Sequence, residues 1–266
     1  MSKKIILSLL FFIVLHVSGH ESWMQPDKFI YKRTEPINIK FLTGEQFTGS
    51  NWMDDKKRID CMQLYFDDAV DKNLLENFGE DKGDSLQLAM IDEGTVMATL
   101  DMKDSVNEVP AVDFNQYLKA NDLTDALEYR EKNGDTAKDG VERYQNSMKT
   151  IFQVGDRLTY TYGEKTELPL DIVPLDHPYK KNQEDEFGLQ VFFMGEKLKN
   201  STVKVWHKLD NKVSLRDYTT DDDGEIRFPL SAEGEWMVSC VKMIRVENDK
   251  QAEWQSYCGS LTWGYY

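Results

Sequence analysis

The chain has 266 residues, is 40% hydrophobic and 12% aromatic, and carries a formal charge of −15 at pH 7. That composition excludes a disordered chain, and the sign of the charge excludes long-range attraction to nucleic acid or anionic lipid. An acidic surface keeps a protein soluble and tolerates cations.

The opening residues read as an export signal. Lys3 and Lys4 form a positive n-region, Ile5 to Val17 form an apolar run of 13 residues, and Val17 and Gly19 occupy the small-residue positions before a cut. A membrane span needs about 20 apolar residues, so this run is too short. No cysteine follows it, so no lipid anchor is expected. Cleavage after Gly19 gives a mature chain of 247 residues that begins "HESWMQP" at His20; Ser18/Gly19 is the alternative cut. Removing Lys3 and Lys4 with no acid takes the side-chain charge to −17. No second apolar run exists, so no membrane span is expected in the mature chain.

Residues 27–47 alternate, with Ile37, Ile39 and Phe41 on one side and Asn38 and Lys40 on the other. This is strand periodicity, ending in a Gly-bearing turn. Residues 61–66 repeat the character, and "LQLAMIDEGTVMATLDM" (86–102) reads as a hairpin around Asp92, Glu93 and Gly94. From Asp113 the pattern changes. Phe114, Tyr117, Leu118, Leu123 and Leu127 are at helical spacing up to Gly134, and Val141, Tyr144, Met148 and Phe152 continue it. Two helices are expected, beside or inserted in the first β domain.

"ELPLDIVPLDHPY" carries three prolines and reads as an extended crossover. Beyond Leu189 every segment is strand-like: "LQVFFMG", "STVKVWHKL", "SLRDYTT", "EIRFPL", "EWMVSCVKMIRV" and "AEWQSYCGSLTWG". Short strands at such spacing suggest a sandwich. The expected class is mainly β, with two β-sandwich-type domains and a short helical insertion in the first. The boundaries are 1–19 for the signal, 20–168 for the N-terminal domain with its insertion around 113–150, and 169–266 for the C-terminal sandwich.

Three cysteines remain, Cys61, Cys240 and Cys258, and none has metal-ligand spacing. If Glu247 faces Gln251 across a loop, Cys240 and Cys258 are direct cross-strand neighbours and close enough for a structural disulfide. "TTDDDGEIRF" resembles a calcium loop only superficially, because its acids are contiguous and precede Gly224. A tight turn with glycine at positive φ explains it better.

The mature chain has His20, His177 and His207. An amino-terminal histidine can chelate a metal through its α-amine and ring together, and one further imidazole completes a histidine brace. Nitrogen donors suit copper or nickel. The amine has a reference pKa of about 7.7 to 8.0, so binding weakens as pH falls. Each histidine also has a plain reading. His20 is otherwise a solvated terminus. His207 shares a strand face with Val203 and Val205, where a lone histidine is usually structural. His177 lies in the crossover and is otherwise an exposed loop residue. Glu21 or Asp176 can add an oxygen ligand. There is no GxSxG, HExxH or phosphate loop, so no enzyme activity is expected.

"HESWMQPDKF", "LTGEQF", "LPLDIVPLDHPY", "TTDDDGEIRFPL" and "EGEWMVSCVKM" resemble a bacterial exported family, domain-of-unknown-function 4198, once labelled a nickel-uptake component. The resemblance implies a second half similar to transthyretin (prealbumin-like), His20 as the mature terminus, and an association with nickel and cobalt handling. Many relatives carry histidine where this chain has Lys242, a poor ligand for a divalent metal.

Two functional expectations follow. In the first, a periplasmic protein binds nickel, cobalt or copper through His20, with His207 as the preferred second imidazole and His177 and Glu21 as further candidates, and serves a membrane transporter or outer-membrane receptor. In the second, a non-enzymatic β-sandwich module binds or scaffolds a glycan or protein partner, with Trp52, Trp254 and Trp263 as aromatic platforms. A copper oxidase is the third and weakest, because no residue marks a substrate or oxygen pocket.

Overall fold

The structure is a computed structural model that describes residues 21–52, 56–67, 69–71, 74, 85–180 and 185–266. The export signal and His20 lie outside the described residues. The first half contains β1 (Glu21–Pro26), β2 (Ile30–Tyr31), β3 (Pro36–Glu45), β4 (Thr48–Asn51), β5 (Ile59–Phe66), β6 (Ala69–Asp71), β7 (Ser85–Ala89), β8 (Gly94–Met102) and β9 (Ser105–Val109). Two helices follow, α1 (Ala111–Ala120) and α2 (Thr124–Asn133), and then β10 (Gly140–Val154). The remainder is β11 (Leu170–Pro174), β12 (Glu186–Phe193), β13 (Glu196–Lys197), β14 (Thr202–Leu209), β15 (Lys212–Thr219), β16 (Glu225–Pro229), β17 (Glu235–Arg245) and β18 (Trp254–Gly264). The protein is mainly β.

Three sheets are stacked in layers. The central sheet runs β15-β14-β17-β18-β10-β8-β5-β6. Strands from both sides of residue 168 meet in it, because β10 and β18 pair in parallel from Glu142↔Trp254 to Thr150↔Thr262. One outer sheet holds β1, β3, β4 and β7, and the other holds β11, β12, β13 and β16. Successive side chains of a strand point to opposite faces. On β8, Val96, Ala98 and Leu100 therefore join Ile37, Ile39 and Phe41 of the first outer sheet. Met97 points the other way and joins Leu170, Ile172 and Leu189 of the second. We call these two sides the β1 face and the β11 face.

The helices sit on the β1 face, where Phe114, Leu118 and Ala126 pack with Met243 and Trp254. Buried Arg130 ties them together. Its guanidinium lies 4.9 Å over the Phe114 ring and its Nε donates to Asn115 Oδ1 at 3.0 Å. Gly134 ends α2 in a left-handed conformation at φ 70°. Gly140 lets α1 approach β10: a Cβ there would stand 2.3 Å from Phe114.

Several expectations change. The segment from Val141 is strand β10, not a second helix. Both faces of β10 are buried, so no period-two alternation is visible. Its polar side chains are satisfied internally: Gln153 Nε2 donates to the carbonyls of Gly155 (3.0 Å) and Arg157 (2.9 Å). Residues 86–102 are not a hairpin, since β7 pairs with β3 and β8 pairs with β5 and β10. The turn carries the chain from one layer to the next. Cys240 faces Gly259 and Cys258 faces Val241, one residue away from the assumed register. A one-residue shift sends the two thiols to opposite faces, and all three cysteines are free. The "TTDDDG" turn forms as expected. Gly224 has φ 74°, and Asp221 Oδ1 accepts from the amides of Asp223 and Glu225, each at 2.9 Å.

Candidate functional site

Strand β1 lies across the central sheet, held by hydroxyl groups on the sheet's β1 face. Ser260 Oγ donates to the Ser22 carbonyl and Thr262 Oγ1 to the Met24 carbonyl, each at 2.7 Å. Asn146 Nδ2 reaches Ser22 Oγ at 3.4 Å. Past Ser22 the first outer sheet stops, and farther along the same face the helices begin. The gap between them is a cavity of about 540 Å³. Its floor is Glu142, Tyr144 and Asn146 of β10 with Val241 of β17 and Cys258 of β18. Glu21 and Thr43 close one side, Asp113 and Tyr117 of α1 the other, and Trp52 and Arg58 stand at the rim.

The cavity holds two carboxyls in costly surroundings. Burial pushes the Glu21 carboxyl up to about 7, against the opposing charge of Lys204. Its Oε2 is buried and has no hydrogen-bond partner. Glu142 is 8% exposed and accepts a hydrogen bond from Ser256 Oγ. Burial raises its pKa too, with the Ser256 contact opposing. The Cys258 thiol is pushed up to about 12 by burial and by the charge of Glu142, so it is not a reactive thiolate. Arg58 lies 5.6 Å over the Tyr144 ring, and its Nη1 donates to Tyr144 Oη at 3.4 Å. Among the described lining residues there are thus three acids and one arginine.

Of the candidate metal ligands among the described residues, Glu21 alone lines this cavity, and Trp52 of the aromatic candidates borders it. His20 lies outside the described residues. His207 shares the face of Val203 and Val205, which pack in the core under the β11 sheet. Its ring stacks on Trp236 at 4.1 Å, and its Nε2 donates to the Glu233 carbonyl at 2.9 Å. His177 is also on the β11 side. Its Nδ1 accepts from the Tyr179 amide and its Nε2 donates to Thr95 Oγ1, each at 3.1 Å. Burial pushes its pKa down to about 4. Asp176 Oδ2 accepts from the Gly188 amide at 2.9 Å. Lys242 alternates with Val241 and so points away from the cavity. The central sheet therefore separates both described histidines from Glu21. Among the described residues, no three His, Cys, Asp or Glu side chains converge as a metal cage. A brace that needs His207 or His177 beside Glu21 does not fit. Trp254 and Trp263 are core residues at 3% and 0% exposure, and Trp52 alone of the three borders a recess.

Sequence reasoning missed Glu142, Tyr117 and Asn146. They come from segments read as one helical insertion, and nothing in the sequence says that β10 is the floor on which α1 lies.

The family model for a domain of unknown function, DUF4198, matches residues 17–243. The chain belongs to the DUF4198 family. No curated protein matches it. Solved structures overlap only distantly. An Escherichia coli alpha-2-macroglobulin activated by porcine elastase is 8% identical with a TM-score of 0.22, covering 92% of this chain and 20% of the other. A DUF4785 family protein from Legionella pneumophila is 11% identical with a TM-score of 0.24, covering 82% and 52%. This DUF4198 chain thus spans about a fifth and about half of those two. No helix among the described residues is long and apolar enough to cross a membrane.

Proposed function

We propose that this DUF4198 protein is an exported, non-enzymatic binding protein that captures a divalent transition metal (nickel, cobalt or copper) at its processed amino terminus. Cleavage after Gly19 leaves the His20 α-amine and imidazole next to Glu21. The observation that carries the reading is the Glu21 carboxylate, whose buried Oε2 has no partner on the cavity wall. An unpaired buried carboxylate oxygen is unfavourable unless a cation meets it. His20 supplies two nitrogens and Glu21 one oxygen. His207 and His177 are left out, because each is engaged on the other side of the sheet. A site built from so few donors has coordination positions open for an acceptor, which suits handover to a membrane transporter or outer-membrane receptor.

The test begins with intact-mass measurement of the secreted protein, which fixes the terminus. Nickel, cobalt and copper are then titrated into the native chain and into a form with one glycine ahead of His20. Stoichiometric binding by the native chain alone is expected. His207→Ala should bind as well as wild type. Equal uptake by the native and extended chains removes the reading.

The second reading, a module for a glycan or protein partner, has its own observation. Tyr160 is 83% exposed and stands beside Tyr162 at a ring distance of 6.3 Å, with Phe192 lining the same open recess. A metal-free mature protein that retains a glycan or protein ligand there would favour it.

A further inference from the structure

The cavity on the β1 face is far larger than a metal ion needs. A liquid water occupies about 30 Å³, whereas this space measures about 540 Å³ and falls in the range of small-molecule sites. Its chemistry has a pattern. At one end, Glu21 presents a buried acceptor with no donor. At the other end is Glu142, more than nine-tenths buried. Asn146, which meets Ser22, marks the Glu21 end, and Glu142 lies four residues back along β10. Four strand residues span about 13 Å. The apolar and aromatic lining is Met102 beside Asn146, Tyr144 between the two ends and Val241 opposite Cys258, while Asn107 stands opposite Glu142 and Asp113 is a third lining acid.

Two buried acids with a tyrosine ring and apolar side chains beside the path between them are the complement of two cations joined by an alkyl chain. We infer that this cavity binds a small linear organic dication of the alkyl diamine class, with one ammonium at Glu21 and the other at Glu142. Each ammonium supplies three donors, which satisfies the orphan Oε2 and pairs the buried Glu142 charge. The Tyr144 ring adds a face for a cation or its methylenes. An anionic ligand is disfavoured, because Arg58, the one arginine among the described lining residues, is placed on Tyr144. The chain's net charge of −15 raises the local concentration of cations around the mouth. The inference shares Glu21 with the metal reading but needs neither His20 nor an ion.

Calorimetric titration of chelator-treated mature protein at pH 8 and low salt tests it, with putrescine as the probe. Butylamine, butanediol and succinate test for one charge, no charge and the opposite charge on similar chains. Putrescine should bind at least about tenfold more tightly than butylamine, and butanediol and succinate should give no heat. Glu142→Gln should bring putrescine down to the butylamine level without changing metal uptake. A glycine ahead of His20 should do the reverse, so the two readings fail separately. Val241→Phe, which fills the floor, should abolish diamine binding while circular dichroism reports an intact fold. No putrescine binding by folded wild type, butanediol binding as tightly, or unchanged affinity in Glu142→Gln each overturns the inference.

Discussion

The two faces of the central sheet are finished differently. The β11 face is packed with aromatic rings: Trp236 stacks on Trp263 with an interplanar angle of 4°, Phe187 lies against Trp263, His177 has both ring nitrogens held by protein partners, and His207 stacks on Trp236 at the wall of a recess of about 320 Å³. The β1 face is covered in two pieces, by the first outer sheet and by the helices, with the cavity at their junction. The aromatic-packed face holds Lys149, Asp171 and His177 as structure. A cover made of two pieces leaves a seam, and the unpaired carboxylate oxygen is found in the seam. In this chain, a histidine on the β11 face is stacked or hydrogen-bonded into the packing, whereas an acid at the seam is a candidate ligand.

The sharpest way to break that contrast is at Lys149 and Asp171. They form an ion pair between β10 and β11, at 1% and 0% side-chain exposure. Lys149→Ala leaves a buried carboxylate without its cation and should destabilise by about 3–5 kcal/mol in urea unfolding. The double change Lys149→Met with Asp171→Leu should recover most of that loss. A loss below about 1 kcal/mol in the single variant would mean that water reaches the pair.

The next effect is that of pH on the same face. His177 has its pKa pushed from 6.5 down to about 4 by burial. Between those values the unfolded chain binds the proton and the native chain does not, so stability is complete above pH 6.5 and declines as pH falls towards 4. The loss should approach about 3 kcal/mol at pH 4, and His177→Gln should flatten that part of the profile. An identical acid profile in the variant would show that the histidine does not control it.

On the β1 face, Gly140→Ala puts a Cβ 2.3 Å from the fully buried Phe114 ring. Overpacking of this kind should destabilise by about 1–3 kcal/mol and displace α1 from the cavity wall. A variant with wild-type melting would show that the helices are only loosely docked. The smallest effect has the opposite sign. Glu21→Gln removes a charge whose burial outweighs the opposing charge of Lys204, and should raise stability at pH 8 by about 1 kcal/mol while weakening metal uptake. A destabilised variant would place Glu21 among the structural acids.

The parts of the fold legible in the sequence are those with one wet side. Ile37, Ile39 and Phe41 alternate with less buried neighbours, so β3 could be read directly. Gly134 and Gly224 could be read because a left-handed backbone admits few other residues. β10 was illegible because Met148 and Phe152 face one core and Ile151 the other, which erases the alternation and imitates a helix. The cysteine register failed on one assumed loop, since a single-residue shift reverses every side chain. Of the site, Glu21 was visible from its place beside the expected cleavage point. Glu142 was not, because an acid inside an acidic chain carries no mark until the sheet is assembled around it.

The pairing of β10 with β18 also bears on how the molecule forms. These strands lie side by side in the middle of the widest sheet, yet Thr150 and its partner Thr262 are 112 residues apart. Parallel neighbours at that distance assemble slowly, because loop closure precedes any gain from the contact. One edge of β10 therefore waits for a distant strand, and a nascent chain presents unpaired backbone N–H and C=O groups there until that strand arrives. A holding chaperone that keeps such an intermediate from aggregating would govern the yield of this protein more than its final stability does.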